Sequence, residues 1–217
     1  MVVGEPGSYY LTHLTPEDGK ALSIALAVYS HIDDTELVDK LKVIGTDGTP
    51  TMTGAHGGCI RHLEVLLNRP LQWSICLLHM NELPLRHVFT ALDGRTHGPG
   101  SFNGPIGKQV CSTVSDWPVV NFTPIINSEF PVLSSAEEND LSTDQNYAYR
   151  IAIAIINGSI NDDLRLLEVG PVVHSRWLTL ACRILRFYVS QNRPTKALIL
   201  LTKFCILVYL PSFFEIK

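Results

Sequence analysis

The sequence predicts an α/β protein that is mostly helical, with one βαβ unit near its start. Three observations lead there. Two short apolar stretches, near residues 41–46 (LKVIGT) and 71–76 (LQWSIC), read as strands. Between them, CIRHLEVLLN puts Ile60, Leu63, Leu66 and Leu67 at helical spacing. From residue 140 onward, every apolar stretch repeats with a helical period or runs on as a continuous apolar segment.

The elements follow in order. LTPEDGKALSIALAVYSHI opens a helix, with Thr15 as N-cap, Pro16 at the first helical position, and Glu17 and Asp18 favouring the positive end. Its apolar face is Leu22, Ala25, Leu26 and Tyr29. A second short helical turn, DDTELVDKL, precedes the first strand. The strand ends at Asp47 and gives way to the loop GTPTMTGAHGG. Strand, helix and strand within this span make a βαβ unit with parallel strands. HMNELPLRHVFTAL then reads as a helix with Pro84 in its first turn.

Residues 93–139 are rich in Gly, Pro and Asn and read as a long irregular connection. Beyond it, Ser142 caps the helix DQNYAYRIAIAIIN, and Gly158 stops it. DDLRLLE, HSRWLTLACRILRFYVS and PTKALILLTKFCILVY follow as helices. Residues 197–214 are nearly all apolar. Lys203 inside the run and Pro211 at its end favour a buried helix over a membrane span. The expected divisions are 1–92, 93–139 and 140–217. A two-stranded parallel sheet is marginal alone and wants neighbours at its edges.

Composition narrows the function classes. The chain has 217 residues, a formal charge of −4, 46% hydrophobic and 18% charged residues. That is enough for a core, and the acidic balance argues against wide electrostatic wrapping of nucleic acid. Five Cys at irregular spacing, with no secretory leader ahead of them, predict free thiols in a reducing compartment and a protein that is not secreted.

Asp47 is the first candidate for chemistry. A carboxylate at the C-terminal end of a parallel strand sits where α/β folds collect functional groups, and it suits Mg²⁺ or Mn²⁺. Asp47-Gly48 is equally a common turn pair. The loop lacks the spacing of a phosphate-cradling motif, and no nucleophile elbow occurs anywhere in the chain. Cys59-x-x-His62 and Cys76-x-x-His79 offer four ligands for a tetrahedral Zn²⁺, although free Cys also behaves as a small core residue. Arg176, Trp177, Arg183 and Arg186 offer either a phosphate-and-stacking surface or a solvated face beside a core Trp.

Two motifs read together change the weighting. VIGTDGTPTMTG followed by WSICLLH, and later HSRWLTLACRILR, resemble the hAT superfamily of cut-and-paste DNA transposases. RPLQWSICLLHMNELPLRHVFTALDG, GPIGK and SRWLT resemble a group of animal proteins derived from such elements, over nearly the whole chain. The resemblance implies a partial RNase H-like core over 1–92 and a helical insertion over 140–217, cut short. It implies that Asp47 is the second of three catalytic carboxylates, that Cys76 and His79 are the C-x-x-H pair, and that Arg176 and Trp177 are an Arg-Trp motif near DNA. It also implies Mg²⁺ or Mn²⁺ in the intact family, DNA as partner, and a nuclear location in place of a cytoplasmic one.

The departures from that pattern predict lost activity. The family's site is three carboxylates holding two metal ions. Nothing before residue 41 reads as the strand meander that would carry the first Asp, and Glu215 comes too early to serve as the last. With one carboxylate of three, the chain is expected to be an inactive remnant or domesticated fragment with no bound metal. Two other readings stay open: an interaction module that self-associates through exposed apolar surface, and a small zinc protein.

Overall fold

The structure is a computed structural model that describes residues 2–4, 7, 9–96, 101–112, 117–170 and 177–216. It divides into two compact units, Met1–Met80 and Asn81–Lys217. The chain is mostly helical with a small parallel sheet, as the sequence predicts.

The first unit opens with a feature absent from the expected layout. β1 (Val2–Gly4) and β2 (Tyr9–Thr12) pair antiparallel. The cue is a Glu-Pro-Gly-Ser stretch between two short runs of β-favouring residues. α1 (Ala21–Asp34) starts later than the Thr15 cap implied. The Asp18 carboxylate accepts the Lys20 amide at 2.9 Å and closes a turn where the helix was expected to begin.

α1 and α3 (Cys59–Leu66) end in the same way. Glu36 and Asn68 adopt left-handed conformations, φ 56 and 51. The amides three residues past each helix reach back, Leu37 to Ile32 at 2.7 Å and Arg69 to Glu64 at 3.1 Å. These bonds satisfy carbonyls that the helix ends would leave open. The expected second helix shrinks to a 3-10 turn, Val38–Lys40. The Arg69 guanidinium donates to the Val38 and Leu41 carbonyls at 2.7 and 2.6 Å, so they face Arg69 and not a following helical turn.

β3 (Val43–Thr46) and β4 (Gln72–Ile75) pair in parallel, Val43 opposite Gln72 through Thr46 opposite Ile75. Both fall inside the expected spans. α2 (Pro50–Thr53) and α3 form the crossover. Ala25 and Ile32 of α1 pack on Cys59 and Leu63 of α3, with Leu67, Leu71 and the half-buried Ile44. The opposite sheet face, Val43, Gly45, Gln72 and Ser74, is exposed.

Glu64 fastens α3 to β4. It accepts from Trp73 Nε1 at 3.0 Å and the Leu71 amide at 3.1 Å, with Arg61 beside it at 3.5 Å. The Trp73 bond, chiefly, holds its carboxyl below the usual carboxylate range.

The second unit is helical. α4 (Leu77–Asp93) begins before the unit boundary, so Pro84 lies inside it and not in its first turn. At the far end, the buried Asp93 carboxylate accepts the amides of Ile106 at 2.9 Å and Gly107 at 2.6 Å, the opening of α5 (Pro105–Val110). Gly104 is held so close that a Cβ there would lie 1.6 Å from the Asp93 carbonyl oxygen.

Among the described residues of 93–139, the helices after α4 are α5 and α6 (Ser135–Asn139). Residues 117–133 run across the helices that follow. Val120 and Ile125 donate to the final carbonyls of α9 (Trp177–Val189) and α7 (Thr143–Asn157), Val189 at 3.0 Å and Ile155 at 3.3 Å. Gly158 ends α7 at φ 72 as predicted, and the short α8 (Asp162–Leu166) follows.

The final helix does not stop at Pro211. α10 (Lys196–Phe204) passes into a π-helical turn, Cys205–Tyr209, and continues as α11 (Leu210–Ile216). A proline removes one helical N–H and crowds the carbonyl four residues back, and a wide turn accommodates both. The Asn127 and Asn81 side-chain amides donate to the Ile206 and Tyr209 carbonyls, at 2.9 and 3.0 Å. Lys196–Ile216 is long and apolar enough to cross a membrane by length and composition. Half of that window is buried within the protein, with Leu198, Leu201, Cys205, Ile206 and Phe213 inside and Lys203 outside.

Two outcomes are expected. Glu64→Gln should cost about 1 kcal/mol at neutral pH by urea unfolding. Because the native carboxyl titrates low, its stabilisation is complete above the unfolded value near 4.3 and fades as pH falls through the native one. The variant and the parent should therefore converge in strong acid. Asp93→Ala should cost about 2–3 kcal/mol, since two buried amides lose their acceptor, and hydrogen exchange should show Ile106 and Gly107 deprotected.

Candidate functional site

Parallel pairing puts the ends of β3 and β4 on the same side of the sheet. The Cys76 amide donates to the Thr46 carbonyl at 2.9 Å and extends the ladder by one step. Beyond these ends stand Asp47-Gly48 and the start of α4, so Asp47 and the C-x-x-H pair share one edge of the first unit.

Asp47 is exposed. Its Oδ1 accepts from the Thr49 amide at 3.1 Å and the Thr49 hydroxyl at 2.7 Å. Thr49 is the N-cap of α2 and Pro50 its first residue, so the carboxylate shapes the turn into that helix. The turn reading of Asp-Gly is therefore realised, and the exposed carboxylate stands at the strand end that the metal reading requires.

His79 comes to the same place. A Cβ at Gly48 would meet His79 Cδ2 at 2.9 Å, Met80 Sδ at 3.2 Å and His79 Nε2 at 3.5 Å. The imidazole therefore lies directly against the turn, where a larger residue at 48 would displace it. Cys76, one helical turn before His79, is exposed.

The four expected zinc ligands do not assemble. Cys59 is fully buried between α1 and α3, and burial pushes its thiol upward. Cys76 is exposed at the strand end. Among the described residues, no group of three or more His, Cys, Asp or Glu stands together as a metal site. The same finding bears on Mg²⁺ or Mn²⁺. The described surroundings of Asp47 do not fit a two-metal carboxylate set.

The arginine surface is also corrected. Arg183 and Arg186 are buried in α9. Arg183 donates to the carbonyls of Gly170 at 2.9 Å, Val110 at 2.5 Å and Ser112 at 3.0 Å. Arg186 donates to those of Trp117 at 2.9 Å and Arg165 at 3.0 Å. Both are clamps that hold loops to the helix, leaving no guanidinium face for phosphate. Trp177 is a core residue, edge-on to Phe89 at 6.4 Å between ring centres. Arg176 lies outside the described residues.

The sequence reading missed how close His79 comes to Gly48. A glycine directly after the strand-end acid, and a histidine three residues past the next strand, were the available signals. No family model matches the chain, and no curated protein or solved structure is significantly similar to it.

The turn role of Asp47 can be read directly. Asp47→Ala should lose about 1 kcal/mol by urea unfolding, as for a lost helix cap. Asp47→Asn keeps an oxygen acceptor for Thr49 and should stay within a few tenths of a kcal/mol of the parent.

Proposed function

We propose that this chain descends from a hAT-type DNA transposase and acts without cutting DNA. The observation that carries the reading is the shared strand-end edge. Asp47 follows the first parallel strand, and His79 of the C-x-x-H pair folds against the glycine beside it. The element order supports it as well: an antiparallel pair, a helix, then a parallel βαβ unit. That order agrees with the partial RNase H-like core that the resemblance implies.

On this reading Asp47 is a vestigial metal-binding carboxylate kept as a turn former. Trp177 anchors the start of α9 in the core, next to Arg176 of the motif that meets DNA in the family. DNA as partner and a nuclear location come from the same resemblance. One carboxylate cannot clamp two metal ions, so strand cleavage is outside this chain's reach.

A second reading rests on the bare face of the parallel sheet, Val43, Gly45, Gln72 and Ser74. Each of its two strands also has an unpaired edge among the described residues. Such surfaces recruit strands or partners, and self-association seen by light scattering would favour this reading.

The test of the first reading is a Mg²⁺ or Mn²⁺ titration followed by amide exchange, with Asp47→Ala as control. The expected result is no metal-dependent protection of residues 45–54 and no cleavage of a DNA oligonucleotide. Protection in the parent alone would mean that a second ligand group completes the site, and the inactive reading would fall.

A further inference from the structure

A cleft of about 400 Å³ lies in the second unit, lined by Leu83, Arg86, His87, Thr90, Arg95 and Thr96. Leu83, Arg86, His87 and Thr90 share one face of α4 by their spacing. At the end of the helix, Gly94 takes a left-handed turn, φ 96, while its amide donates to the Thr90 carbonyl at 3.0 Å. The chain then folds back. Thr96 bridges to Phe102, its hydroxyl donates to the Ser101 carbonyl at 2.7 Å, and the Phe102 ring packs on Phe89 at 5.1 Å. Arg95 is thus held beside the helix face by anchored backbone.

Arg86, His87 and Arg95 are exposed, and none makes an ion pair with a described residue. The nearby acids face elsewhere. Asp93 is buried on the amides of Ile106 and Gly107. Glu82 lies near Tyr209, whose phenol is pushed up first by burial and then by that carboxylate. A cation just past a helix end is favoured by the helix dipole, which accounts for Arg95 alone. Arg86 and His87 stand inside the helix, where that explanation does not reach.

We propose that this cleft takes the phosphates of a nucleic-acid strand. It gathers cations and a threonine hydroxyl in a chain whose formal charge is −4. No Phe, Tyr or Trp is among its described lining residues, and its two guanidinium groups favour contacts to the sugar-phosphate backbone, which carry no sequence preference. The choice of nucleic acid rests on the DNA reading above. The experiment concerns α4 and not Asp47, so the two can fail separately.

The full-length chain is titrated with a short DNA strand, its duplex and inorganic phosphate, reading NMR shifts and affinity between about 50 and 200 mM salt. DNA should shift the Arg86, His87, Thr90 and Arg95 signals. Arg86→Gln with Arg95→Gln should weaken binding at least tenfold at the lower salt. It should also flatten the log–log salt slope by about two, one for each lost phosphate contact. Amide spectra away from α4 should be unchanged. Equal affinity in parent and variant, no DNA binding at all, or equal shifts with inorganic phosphate would each overturn the proposal.

Discussion

Parallel pairing of β3 with β4 is the constraint on which the first unit turns. Parallel neighbours need a long crossover, and α2 and α3 supply it. They also finish at the same edge, which brings Asp47-Gly48 and Cys76-x-x-His79 together from distant parts of the sequence. Glu64 holds this arrangement by joining α3 to the start of β4. A shift of one residue in register would swap Ile44 with its exposed neighbours and uncover the small core beneath. The bare outer face follows from the same economy, since two helices cover one side only.

In the second unit the comparable constraint is the supply of partners for polar groups that irregular backbone leaves open. Loops that pack on helices must find donors for their carbonyls. Arg183 and Arg186 provide five such bonds from inside α9. In return, Val120 and Ile125 donate to carbonyls at the ends of α9 and α7. The buried hydroxyls of Tyr147 and Tyr209 and two nitrogens of Arg186 have no hydrogen-bond partner among the described residues, a polar cost carried within an otherwise apolar core.

Much of this was legible in the sequence. The two parallel strands, α3 and the Gly158 stop each had a local signal and kept it. The misreadings share one cause: local spacing does not reveal tertiary partners. Arg183 and Arg186 look like a surface pair until α9 proves buried along nearly all of Trp177–Val189, with Phe187 alone half-exposed. In WLTLACRILRFYV, Thr179, Arg183 and Arg186 fall on one stripe of an otherwise apolar helix, and the sequence alone does not show that loop carbonyls cover that stripe. The Thr15 cap lost to an Asp18 turn two residues long, and the helical turn expected over 33–41 lost its second half to Arg69, a partner far along the chain. β1 and β2 were overlooked because strands so short have too few residues to show alternation. At the candidate site, position predicted Asp47, whereas the nearness of His79 depended on the fold.

The π-helical turn has a geometric consequence for the last helix. A regular α-helix advances about 100° per residue, so Phe214 would stand roughly 160° around the axis from Leu198. Both are nevertheless buried, and Phe214 packs against Tyr149 and Phe130. One surplus residue in the wide turn winds the later half back by about 100° and returns Phe214 toward the face of Leu198. Cys205–Tyr209 therefore acts as a phase corrector. A chain shortened by one residue there would regain an unbroken helical ladder and keep its aromatic end on the same face, whereas the full-length chain wound as a regular α-helix would turn that end away from the partners that hold it.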